Sequence, residues 1–219
     1  MGGRMVWSMI QAAGWPIWPL LACSVVALAL IIERFISLQT THITPPKLLE
    51  QALMFSRQTL PSPQVLGQLE QNSLLGQVLA SGFKAIHANP RCSEQDLRSS
   101  MEAAGRLVAQ KLENNLTALA TIASAAPLLG LLGTVVGMIE IFGAQNPAAT
   151  GTMSAASTNP AQLAHGISVA LYNTAFGLMV ALPALIFWRY FRVRVDQHLL
   201  DLELASERLM RHLNTLRAS

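Results

Sequence analysis

Long intervals of this chain carry no charge at all. No Asp, Glu, Lys or Arg occurs from Met5 to Ile32, from Asn114 to Ile139, or from Ile141 to Trp188. A helix that crosses a bilayer needs about 20 predominantly apolar residues, and the first two intervals hold one such helix each. The third is too polar between Gln145 and Gln162 to be continuous, which leaves room for one span after it. Composition agrees, with 52% of the 219 residues hydrophobic and 12% charged, against about a quarter charged in soluble domains. The predicted fold is an all-α integral membrane protein with three transmembrane helices.

The remaining charge reports orientation. Of fifteen Lys and Arg, Arg4 precedes the first span and Arg34 sits at its end. Seven (Lys47, Arg57, Lys84, Arg91, Arg98, Arg106, Lys111) lie between spans one and two, and six follow span three from Arg189 to Arg217; Gly143 to Gln162 has none. The positive-inside rule then places the N-terminus and the short loop outside, with the long loop and the tail in the cytoplasm. The predicted segments are an outer interfacial segment with the first span (1–38), a cytoplasmic helical loop (39–112), the second span (113–142), a short periplasmic loop (143–162), the third span (163–190) and a cytoplasmic amphipathic tail (191–219). The excess of +3 is topological, and no nucleic-acid-binding pattern accompanies it.

Trp7, Trp15 and Trp18 are expected to form an aromatic belt at the outer interface. Pro16 and Pro19 suit the first turn of span one, where missing amide donors cost least. Leu21-Ala22-Cys23 loosely resembles a lipoprotein processing site, but the apolar run continues well past it to Glu33-Arg34, so the segment reads as a retained span and not a cleaved leader. Cys23 and Cys92 fall in different regions and do not form a redox or metal motif.

In the long loop, Leu66, Leu69, Leu75, Val78, Leu79, Phe83 and Ile86 keep a helical rhythm. Asn89-Pro90 breaks it, and Ser93 with Asp96 forms an N-cap signal for the next helix. From there one helix to Phe142 would be about 75 Å long, far more than a hydrocarbon core of about 30 Å. Two of the membrane helices therefore extend far into the cytoplasm. In the tail, Val195, Leu199, Leu202, Ser206, Leu209, Leu213 and Leu216 form a heptad series. It can pack on the 93–111 helix or against a neighbouring subunit.

No catalytic constellation, phosphate loop, nucleotide fingerprint or metal-ligand cluster is present. The five histidines are scattered, and neither enzyme activity nor a cofactor is expected. Polar groups inside a membrane mark a pathway by default. Here these are Thr134, Asn173, Thr174 and Ser168, with Glu140 and His165 nearer the outer boundary. The alternative is that the hydroxyls bond their own helix carbonyls and that Gly130, Gly133 and Gly137 only serve packing. In span three, Gly166, Ala170, Thr174, Gly177, Ala181 and Ala184 share one small-residue face. That face is the predicted pathway and the predicted contact with other chains. Pro127 and Pro183 are expected to kink their helices.

These motifs are similar to those of the MotA/TolQ/ExbB proton-channel family, on its ExbB and TolQ branch. The stretches that match are Gly14-Trp15…Trp18-Pro19-Leu-Leu…Glu33-Arg34, Pro127-Leu-Leu-Gly-Leu-Leu-Gly-Thr134-Val-Val-Gly137, and Gly166-Ile-Ser-Val-Ala-Leu…Thr174-Ala-Phe-Gly-Leu…Ala181-Leu-Pro183. The resemblance implies a homo-oligomeric ring, typically pentameric, in the bacterial inner membrane, surrounding the single membrane helices of an ExbD- or TolR-like partner. That partner supplies a proton-carrying Asp, and a TonB-like protein can join the system. Thr134 and Thr174 match the family's pore threonines. One position departs: the branch often carries Glu where this chain has Val169, and Glu140 is the only acid in the two pore-side spans that could replace it. The implied function is the stator-like channel subunit of a motor that uses the proton-motive force for envelope or outer-membrane transport. A TolQ-like role in envelope constriction and a non-conducting scaffold remain the alternatives.

Overall fold

The computed structural model describes residues 15–39, 43–45, 48–58, 61–144 and 160–218. The interfacial segment with Trp7, residues 145–159 of the short loop, and the side chains of His165, Val169 and Leu216 lie outside the described residues. Among the described residues six helices follow one another: α1 (Ile17–Ser37), α2 (Leu48–Gln58), α3 (Pro63–Asn72), α4 (Leu74–Ala88), α5 (Glu94–Ala144) and α6 (Pro160–Ala218). No strand occurs among the described residues. Three helices, α1, α5 and α6, are long and apolar enough to cross a membrane. The chain is an all-α membrane protein.

The reciprocal cap predicted at Ser93 starts α5. Ser93 Oγ accepts from the Asp96 amide at 3.0 Å, and the Asp96 carboxylate accepts from the Ser93 amide at 3.0 Å. The Ser93 hydroxyl also donates to that carboxylate at 2.7 Å, and this bond first and the Ser93 amide second hold the Asp96 carboxyl below its ordinary value. α5 then runs unbroken for 51 residues and α6 for 59, through Pro127 and Pro183 respectively. α6 begins at Pro160, inside the predicted loop, at a position where a missing amide hydrogen costs nothing.

The chain divides into two compact units, one of residues up to Ile32 with Ala118–Trp188 and one of Glu33–Thr117 with Arg189–Ser219. The first is an inside-out bundle. Many of its buried positions are small: Ala27 on α1, Ala123, Ala126, Gly130 and Gly133 on α5, and Ala170, Gly177, Ala181 and Ala184 on α6, with Ile17, Leu20 and Ile31 of α1 and Leu119 of α5 as the large exceptions. Leu20 packs on Ala126 and Ala181, with Leu129, Phe176 and Val180 around them. Many large side chains face outward instead, among them Val25, Leu28, Leu128, Ile139, Phe142, Met179, Leu182 and Ile186. Water would penalise such a surface by roughly 25 cal/mol per Å². Lipid would not, and between helices in lipid small residues gain by close contact.

The second unit is built like a soluble domain, with large side chains inside: Leu79, Phe83, Leu97, Val108, Phe191, Val195 and Leu209 are essentially inaccessible. α3 turns into α4 at Ser73, whose Oγ caps the Gly76 amide at 2.9 Å. A Cβ at Gly76 would collide with the Leu69 carbonyl, so the turn requires glycine. The buried face of α6 here runs Val195, His198, Leu202, Ala205, Leu209, Leu213. Its register differs from the predicted heptad by one residue at two places: His198 and Ala205 are buried where Leu199 and Ser206 were expected, and those two are half-buried. Steps of three and four with a final four follow a straight helix of about 3.6 residues per turn and not a supercoil of 3.5. The tail packs within the chain, with Leu199, Leu202 and Met210 lining a groove of about 460 Å³ with Met101, Gly105 and Ala109 of α5.

Candidate functional site in the membrane unit

α5 and α6 run antiparallel in the first unit, and glycine decides how close they come. A Cβ at Gly137 would lie 3.5 Å from that of Ala170, one at Gly133 2.8 Å from that of Asn173, and one at Gly130 2.8 Å from the Asn173 carbonyl oxygen. At Gly177 it would lie 2.7 Å from the Ala126 carbonyl oxygen, and at Gly166 it would run into Ile141. Four of these five positions thus admit no side chain without moving a neighbour, and at Gly130 and Gly177 that neighbour is backbone. The small-residue face of α6 is therefore closed by α5 of the same chain. Asn173 lies at its centre and Thr174 at its edge.

The predicted polar residues separate accordingly. Asn173 is 2% exposed, the one buried polar side chain among the described residues of this unit. Thr174 sits at the edge of the interface, half-buried, and its hydroxyl reaches across to the Gly130 carbonyl at 3.4 Å. Thr134, partly exposed, donates to Leu131 O of its own helix at 2.7 Å. It opens on an apolar groove of about 590 Å³ with Val135, Met138, Ile139 and Phe142. Ser168 is exposed and bonds back to Ala164 O at 2.9 Å. Glu140 is exposed near the end of α5.

Helix geometry relates the two threonines. Gly133 touches Asn173, and each threonine is the next residue in its own chain direction. In antiparallel right-handed helices, a step of about 100° from a shared contact turns to the same side on both. Thr134 and Thr174 therefore flank one side of the α5–α6 pair. Glu140, six residues beyond Thr134, lies about 120° around the helix from it. Both hydroxyl protons are directed at main-chain carbonyls, which leaves the oxygen lone pairs as acceptors. No group of three His, Cys, Asp or Glu able to hold a metal ion occurs among the described residues.

Residues 70–204 match the model of the MotA/TolQ/ExbB proton channel family. This chain belongs to that family. It is 32% identical to the biopolymer transport protein exbB1 of Vibrio cholerae over 88% of this chain and 82% of that protein. Identity is 32% to the biopolymer transport protein ExbB-like 3 of Synechocystis, over 80% of this chain and 79% of the relative. It is 33% to the Tol-Pal system protein TolQ of Haemophilus influenzae, over 55% and 53%. Family members are transport or channel-type membrane proteins.

Two features escaped the sequence. Arg34 was read as a charge ending a span, yet it is 4% exposed and donates to Leu112 O at 3.0 Å while pairing with Glu33 at 2.9 Å. His198 was one scattered histidine and is buried. The charge-free interval ending at Ile32 was the available signal for Arg34, since a guanidinium at a span's last turn must find acceptors.

Proposed function

We propose that this protein is the proton-conducting subunit of an inner-membrane motor, several copies of which form a ring around the membrane helix of an ExbD- or TolR-like partner bearing a carboxyl group. The observation that carries this reading is the placement of the Thr134 and Thr174 hydroxyls on one flank of a glycine-packed helix pair. A carboxylate in mid-membrane is costly, about 3 kcal/mol on insertion scales. Hydroxyl lone pairs can accept from the protonated acid. After rotating off their carbonyls, the same hydroxyls can donate to the ionised one. The free-energy gap between the two forms narrows, and the proton can leave toward the cytoplasm.

Large apolar faces on all three spans fit coverage by lipid and by further copies. A TolQ-like role in envelope constriction is supported by the TolQ relative, and the partner encoded beside this chain would decide between the two. In the test, Thr134→Val and Thr174→Val keep the shape and remove the hydroxyl. Each should leave ring assembly intact and lower motor-driven work by roughly tenfold or more, since a hydrogen bond to a charged group contributes about 1.5–3 kcal/mol. Glu140→Gln, off the shared flank, should cost less. Full work in both Val variants would reduce the threonines to packing residues.

A further inference from the structure

A buried amide in an interface otherwise made of glycine and alanine needs a reason. Asn173 seats against the bare backbone of Gly133, where a Cβ would approach its Cβ, Cγ and Nδ2 within 2.9 Å, while its own carbonyl oxygen lies over Gly130. The other buried positions on this face of α6 are Ala170, Gly177, Ala181 and Ala184. Asn173 is thus the only side chain beyond a methyl group that α6 buries here among the described residues. A smooth Ala/Gly face can slide or roll on its mate, since nothing on it interlocks. A branched side chain in a glycine notch prevents both. The notch and the knob are each followed immediately by a threonine, so any roll of α6 at this level moves Thr174 relative to Thr134.

The geometry points to Asn173 as a positioning residue: lodged in the Gly133 notch, it sets the rotation of α6 on α5 that brings the Thr134 and Thr174 hydroxyls to a common flank. The inference rests on the proton-channel reading above, because only there does the separation of the two hydroxyls matter. Asn173 acts through shape, and its amide is not a stop on the proton's route.

The test uses the full-length protein with its native partner in its own host, with ring assembly checked for every variant. Motor-driven work is followed as the external pH is varied. Asn173→Ala removes the knob and should lower work by roughly tenfold to a hundredfold, the upper figure being what a misplacement of about 1 Å can cost. It should also move the pH of half-maximal work in the same direction as Thr174→Val does. Loosening the helix pair elsewhere, as with Gly177→Ala, whose Cβ would press on the Ala126 carbonyl, would lower amplitude without that displacement. Asn173→Leu, which restores the branch at Cγ without hydrogen-bonding atoms, should recover most of the lost work and the parent's pH midpoint. Parent-like work in Asn173→Ala, or a pH midpoint that does not move, overturns the positioning role while leaving the channel reading standing if the Thr→Val variants are inactive. Failure of Asn173→Leu to recover beyond Asn173→Ala overturns it as well, by making the amide itself the functional group. Parent-like work in the Thr→Val variants sinks the channel reading, and the positioning role with it.

Discussion

At the scale of single side chains, the two units bury polar groups for different ends. Asn173 is held in a notch between membrane helices, whereas His198 lies beyond Trp188 among the apolar side chains of the second unit, 3% exposed. Burial is the main cause that holds its pKa below the ordinary 6.5; the Leu38 backbone opposes this, the Arg194 charge adds to it, and Asp201 opposes it. A lowered histidine pKa means that the folded chain binds fewer protons than the unfolded one in the interval below 6.5. The stability associated with neutral His198 is therefore complete above the unfolded value and is lost as the pH falls toward the folded one. Purified protein in mild detergent should show a thermal midpoint that drops between about pH 7 and pH 5.5, the interval in which histidine titrates. His198→Leu should flatten that drop. An equally steep drop in the variant would assign the acid sensitivity to other groups.

At the scale of helices, the α5–α6 pair is fixed by what is missing from it. Gly177 faces the Ala126 carbonyl and the Gly130 backbone, neither of which can rotate aside as a side chain can. Gly177→Leu should therefore push the two helices apart inside a single chain, at a cost at or above the roughly 1–3 kcal/mol typical of overpacking. A thermal midpoint lowered even under conditions that dissociate oligomers would place the damage within the chain; loss of oligomers at an unchanged midpoint would place it between chains. The existence and positions of the three long apolar helices were legible, because charge stops and restarts sharply around them. So was the Ser93–Asp96 cap, a local pattern. The centre of the small-residue face was not. Asn173 and Thr174 are adjacent and both polar, and only the notch at Gly133 decides which one turns inward. The same blindness displaced the tail's register from His198 to Leu199: a leucine is the better apolar guess, and burial of the imidazole depends on neighbours far away in sequence.

For the molecule as a whole, the second unit says which chain segments share a side of the membrane. The residues that follow span one, precede span two and follow span three are tied to each other there. Arg34 donates to Leu112 O, Asn115 donates to the Glu33 carboxylate at 2.9 Å, and Arg192 pairs with Glu113 at 2.8 Å. Phe35 meets Phe191 edge-on, with ring centroids 5.0 Å apart. Parting these ends would strip the Leu112 carbonyl from the buried Arg34 guanidinium, and an unsatisfied buried charged donor costs more than the about 1–3 kcal/mol of a neutral one. The long loop and the tail are therefore expected to emerge on one side, and the α5–α6 connection on the other. Charge then predicts the sides: thirteen of the fifteen Lys and Arg belong to the loop and the tail, and none to the connection, so by the positive-inside rule the loop and tail are expected in the cytoplasm. With Cys23 and Cys92 replaced by Ser, single cysteines at Gln71, Ala149 and Glu203 read both steps separately. An impermeant maleimide added to intact spheroplasts should label Ala149→Cys, and should reach Gln71→Cys and Glu203→Cys only after the membrane is opened. Labelling of the last two but not the first would keep the shared side and invert the orientation, against the charge argument. Labelling of only one of Gln71→Cys and Glu203→Cys would contradict the Arg34, Asn115 and Arg192 contacts themselves, and with them the way the three spans are joined.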